Sequence, residues 1–145
     1  MKTSNHTLKL QGSDDLLEVK HFPEKGHCHV VAQLNEETLA AKASDYFEAF
    51  CQIRTRLERS GLIPICNGSS LDVYPSGMCR DMGAGLSAYR LYTDRKPEMD
   101  DLVKIFEVDE PLKPSTVADQ RKYFETWAGI EDAVNSHKRW WQFWR

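Results

Sequence analysis

Between positions 66 and 92 the chain reads CNGSSLDVYPSGMCRDMGAGLSAYRLY, with Gly68, Gly77, Gly83 and Gly85 set among polar and aromatic residues. Glycine at this density marks backbone that must turn or approach another group closely. The stretches on either side, residues 62–66 and 86–93, read as strands, so residues 67–85 form a long connection inside a sheet-containing domain. Such connections are uncommon in small domains and often functional. Asp72 to Met78 is rich in bulky residues, which predicts a defined backbone path rather than a loose linker.

The rest of the chain limits what that loop can belong to. At 145 residues, 41% hydrophobic and 28% charged, it suits one globular domain spanning 1–145. Residues 1–13 are polar, lack an apolar run of signal-peptide type and read as a flexible arm or first edge strand. No stretch is long enough to span a bilayer, which points to the cytoplasm. Cys28, Cys51, Cys66 and Cys79 are scattered without a C-x-x-C pair, as expected of free thiols. The net charge of −3 gives no reason to expect nucleic-acid binding. Charge is uneven, however: Asp94 to Glu110 carries seven acidic and three basic residues, whereas the tail 137–145 is basic and aromatic.

Residues 16–20 and 29–33 read as a hairpin around Pro23-Glu24-Lys25-Gly26. A helix is expected over 36–60, capped by Asn35, because Leu39, Ala43, Tyr46, Phe47, Phe50, Ile53 and Leu57 recur at spacings of three and four. Gly61 would end it, and Arg54, Arg56 and Arg59 would form a solvated last turn. Pro64 favours an edge position for the strand at 62–66. Further strands are expected at 86–93 and 102–108, with a short helix from Pro97 as the alternative for the second. A second helix is expected from Thr116, where Thr116 and Asp119 have capping-box spacing. Phe47, Phe50, Ile53, Phe124 and Trp127 are expected to be buried. The order is β-β-α-β-β-β-α: an α+β fold, mostly antiparallel, with two long amphipathic helices.

No catalytic motif fits. Ser76 lies in Tyr74-Pro75-Ser76-Gly77, without the G-x-S-x-G of a nucleophile elbow, and no sequence feature pairs it with a histidine. Gly83-Ala84-Gly85 lacks the Lys and Ser/Thr of a phosphate loop. His27 and His29 could share a strand face, but zinc needs three or four converging ligands, and ordinary strand residues are the better reading. No metal or cofactor is expected. The tail Trp140-Trp141-Gln142-Phe143-Trp144 is expected to pack within the protein or against a second copy rather than on lipid.

The segments IRTRLERSG (53–61), CNG (66–68), VYPSGM (73–78), DMGAG (81–85), AYRL (88–91) and DLVKIF (101–106) resemble a family of small, stand-alone bacterial proteins of unknown function. Small single-domain proteins of this kind resemble the immunity proteins of bacterial toxin systems. That resemblance implies a non-enzymatic protein that neutralises a toxin domain by covering its active site. Tyr74, Met78, Arg80, Asp81 and Tyr89 would then be contact residues, because aromatic, Met and Arg side chains dominate interface cores. Asp94, Asp100 and Asp101, with Asp109 and Glu110, would steer a basic partner. The alternative is a small-molecule or nucleotide site, or an enzyme, walled by the loop, with Asn67, Gly68, Ser69, Ser76, Gly77, Arg80 and Asp81 converging on the ligand. A concave pocket under residues 67–85 would favour the second; a flat or convex acidic face would favour the first.

Overall fold

The computed structural model describes residues 2–134. Period-two alternation builds a meander of four strands: β1 (Ser4–Gln11), β2 (Ser13–Glu24), β3 (His27–Leu34) and β4 (Glu37–Ala43), each antiparallel to the next. Leu8, Leu10, Leu17, Val19, Val30, Ala32 and Ala41 are buried on one face, while Thr7, Lys9, Glu18 and Lys20 between them face solvent. A sheet covered on one side carries this pattern. The polar start of the chain is thus not an arm or an edge. β1 lies inside the sheet β4-β3-β2-β1-β5, between β2 and β5 (Ile63–Ile65). Pro64 sits on the outer strand, where a missing backbone donor is tolerated.

The first helix, α1 (Tyr46–Glu58), starts ten residues later than the spacing of apolar residues suggests. Residues 37–43 are strand β4: Leu39, Ala41 and Ala43 alternate, and Ala43 stands three before Tyr46, so two periods run together. Asn35 caps no helix; it occupies the β3–β4 turn with φ of 55°. The true cap is Asp45, whose Oδ1 accepts from the Glu48 amide at 2.8 Å. From there the stripe holds: Tyr46, Phe47, Phe50, Ile53 and Leu57 pack onto the sheet, and Phe47, Phe50 and Ile53 are buried as expected.

The loop is ordered into a 3-10 turn (Asn67–Ser69), a short strand β6 (Val73–Tyr74) and a helix α2 (Gly77–Met82). β6 pairs with β7 (Ser87–Arg90), which pairs with β8 (Leu102–Lys104) in a second, three-stranded antiparallel sheet. β8 is shorter than the expected strand. α3 (Val117–Val134) begins where anticipated, and Thr116 Oγ1 accepts from the Asp119 amide at 3.1 Å. The fold is α+β, with four strands before the first helix. A smaller core gathers Leu91, Trp127 and Ala128. Trp127 is buried, and its Nε1 donates to the Tyr92 carbonyl at 2.9 Å. Phe124 is only half-buried, because its ring stacks on Tyr74 at the margin of this core (4.3 Å, 11°). The aromatic tail, and with it any contact between copies through the tail, lies outside the described residues.

Candidate functional site

The glycine-rich stretch divides into two parts of opposite character. In the first, Asn67 and Ser69 are fully buried and their polar atoms are taken up within the protein. Asn67 Nδ2 donates to the Lys104 carbonyl at 2.9 Å and to Asp109 at 2.8 Å, and its Oδ1 accepts from the Asp109 amide at 3.0 Å. Ser69 Oγ lies 3.6 Å from Cys66 Sγ. Gly68 is required by close approach: a Cβ there would stand 2.9 Å from Ile105 Cβ and 3.0 Å from its carbonyl oxygen.

The Gly68 carbonyl is also the centre of a buried polar lock. Arg54 Nη1 donates to it at 3.0 Å and to Gln120 Oε1 at 2.7 Å, while Nη2 donates to the Ser115 carbonyl at 3.1 Å. Gln120 Nε2 lies within 3.0 Å of the carbonyl oxygens of Gly68, Ser70 and Val73. Arg54 is therefore not part of a solvated helix end. It is 1% exposed and ties α1 to the loop and to α3, because a buried guanidinium needs acceptors and the loop carbonyls supply them. Arg56 and Arg59 are exposed, as expected.

The second part faces outward. Ser76, 5% exposed, serves the structure itself, since its Oγ accepts from the Cys79 amide at 3.0 Å and caps α2. Gly77, at the first position of the helix, is buried. At the other end the Gly85 amide donates to the Cys79 carbonyl at 2.9 Å, with Ala84 and Gly85 both at positive φ (54° and 74°), a left-handed C-terminal cap. Met78 and Met82, four residues apart on one face of α2, are 62% and 82% exposed. Asp81 is exposed, and Arg80 does not pair with it. Arg80 Nη1 instead reaches Asp45 at 3.0 Å and Glu48 at 3.3 Å, and its guanidinium lies over the Phe47 and Tyr74 rings. Arg80 braces α2 against α1 and leaves the methionines outside.

Tyr89 flanks this helix. Burial, with the nearby Cys79 and Asp101, raises its pKa, and its hydroxyl lies 4.0 Å from Met99 Sδ, a side chain 77% exposed. Tyr74 is held between Phe47 and Phe124. Of the acidic residues, Asp94 and Asp100 are exposed, but Asp101 is 7% exposed and is gripped by Arg95 through two bonds of 2.7 and 2.8 Å. That grip holds its carboxyl below the usual carboxylate range. The structure thus exposes Met78, Asp81 and Met82 on α2, and Met99 and Asp100 beside Tyr89. Asn67, Gly68, Ser69 and Ser76 are built into the scaffold beneath.

A cleft of about 420 Å³ opens beside the loop's far end, lined by Gly83, Ser87, Lys104, Phe106, His6 and His21 among others. His6 and His21 stand on adjacent strands with their Nε2 atoms 3.1 Å apart. Burial, reinforced by His6, lowers the His21 pKa to about 4; burial also lowers that of His6, against the pull of Glu107. Neither histidine stands out in the sequence as a site residue. The signal is the alternation itself: His6 falls in phase with buried Leu8 and Leu10, and His21 with Leu17 and Val19, so both face inward.

Among the described residues no three His, Cys, Asp or Glu side chains converge as a metal site. His27 is exposed, and His29 stacks on Phe22 (5.2 Å, 5°). The four thiols are unpaired. No described helix is long and apolar enough to cross a membrane. No protein-family model and no curated protein matches the chain, so the functional reading rests on this geometry.

Proposed function

We propose that this is a bacterial, cytoplasmic binding protein without catalytic activity, an immunity protein that neutralises a basic toxin domain by covering its active site. One observation carries the reading: Met78 and Met82 project from one face of α2 next to the exposed Asp81, and Met99, 77% exposed, lies against the Tyr89 hydroxyl between the exposed Glu98 and Asp100. Exposed large apolar side chains grouped with charge mark recognition surfaces. Methionine adapts to a partner's relief, and the acidic rim favours encounter with a basic one. Arg80 acts in this reading as the brace that sets the angle of α2, and the buried polar groups of residues 67–70 act as its foundation.

The test is co-expression with a toxin-like C-terminal domain encoded immediately upstream, followed by titration calorimetry of the purified pair. Growth should be rescued. Met82→Asp should weaken binding by over tenfold, since losing a buried methionine contact costs about 1.5–3 kcal/mol. Ser76→Ala, which perturbs only a helix cap, should still rescue. Full affinity in a Met78→Asp/Met82→Asp variant would remove α2 from the interface.

A further inference from the structure

We propose that the cleft between β1–β2 and residues 83–87 binds a small uncharged heteroaromatic molecule, of nucleobase or nucleoside size. Such binding does not depend on the protein-binding face. The volume of about 420 Å³ lies in the range of small-ligand sites.

The floor of the cleft is aromatic. The His6 and His21 rings are nearly parallel (10°) and joined edge to edge through Nε2. The Phe106 ring lies 5.1 Å from His6 and 5.0 Å from His21, at 27° and 16°. Three near-parallel rings at equal mutual separations cannot form a column, so Phe106 lies across the joint between the imidazoles. Tyr46, edge-on to His21 at 5.0 Å, and Phe50, edge-on to Phe106 at 4.9 Å, hold this arrangement from the core side. A flat ligand finds a stacking surface here.

The polar complement is mixed. An N–H···N bond between neutral imidazoles makes one Nε2 the donor and the other the acceptor, so one Nδ1 must carry a proton while the other keeps a lone pair. The pair therefore offers both kinds of hydrogen-bonding atom, as a nucleobase edge does. Ser4 and Ser87 add hydroxyls, and the side chains of both are without hydrogen bonds among the described residues. Lys104 and Glu107 stand on the same lining with opposite charges and form no ion pair there. An anion would meet Glu107 and a cation Lys104; an uncharged ligand with donors and acceptors can use both.

The experiment follows the imidazole Cε1–H resonances of His6 and His21 by NMR while adenosine, guanosine, cytidine, uridine and nicotinamide are each added to millimolar concentration. At least one should shift both resonances saturably, and more tightly than any nucleoside 5′-monophosphate. His6→Phe keeps a ring but loses the donor and acceptor, and should weaken that binding by about tenfold. Ser87→Leu, which fills the cleft from β7, should abolish it, with the core methyl spectrum unchanged in both variants. Absence of saturation with all five compounds, tighter binding of the monophosphates, or undiminished binding in both variants would overturn the proposal.

Discussion

Residues 66–73 and 76–85 share a composition of glycine, serine and small polar groups, yet they do opposite work. In the first segment glycine lets backbone press against Ile105, and the polar side chains are turned inward, Asn67 to the Lys104 carbonyl and Asp109, Ser69 to Cys66 and Ser70 to Asp72. In the second, glycine ends a short helix whose methionines project into solvent. The contrast is clearest in two arginines. Arg54 is buried on carbonyl oxygens and joins three parts of the fold; Arg80 lies at the surface on two carboxylates and positions one helix. A glycine-rich stretch is thus not one structural unit: its first half is buried scaffold and its second half an exposed helix.

Substitutions can break this division if it is wrong. The largest effect belongs to Arg54→Met, which removes the donors to Gly68, Ser115 and Gln120 at once. Hydrogen bonds of a charged group contribute about 1.5–3 kcal/mol each and overlap here, so a loss of at least about 3 kcal/mol is expected in urea unfolding. Gln120→Leu should be strongly coupled to it in a double-mutant cycle; strict additivity would mean that the lock is not one network. Gly68→Ala comes next. Its methyl group must displace Ile105, at a cost of about 1–3 kcal/mol, and an unchanged melting temperature would disprove the close approach.

A smaller effect concerns pH. The folded state lowers the His21 pKa from 6.5 to about 4, so the unfolded chain binds the extra proton first. The contribution is full above pH 6.5, falls as pH drops through that window, and levels off below about 4. His6 and Tyr46 touch the ring, and Glu107 and Lys104 line the same cleft. Stability compared between the wild type and His21→Phe should show a flatter acid limb in the variant; parallel limbs would mean His21 is not held neutral. Smallest of all, Met78→Ser/Met82→Ser should change stability by less than about 0.5 kcal/mol. A substantial loss would show that these side chains serve the core instead of a partner.

How far the sequence reveals this depends on the range of the interactions. The meander, the apolar face of α1 from Tyr46 onward and the start of α3 follow from local periodicity and caps, and are readable. The start of α1 is obscured because two alternating strand residues, Leu39 and Ala43, also fall at helical spacing from Tyr46 and Phe47. α2 is too short to display a period, although Ser76, placed before Gly77-Met78-Cys79, is a cap in plain view. Arg54 lies on the apolar stripe, but its burial depends on Gln120, 66 residues away. The meeting of His6 with His21 likewise depends on strand register. Met78 and Tyr89 could be suspected from composition; that Asp101 is spent on Arg95 and Arg80 on Asp45 could not.

The division of the loop is tested most directly by hydrogen–deuterium exchange across residues 66–104, with and without the toxin-like domain used in the growth assay. In the free protein the amides of residues 67–70, which donate to Glu107, Ile105, Cys66 and Asn67, should already be protected. On binding, added protection should appear in residues 77–83 and 98–101, with no change at 67–70. Protection gained at 67–70, with α2 unaffected, would contradict the assignment of scaffold and recognition surface.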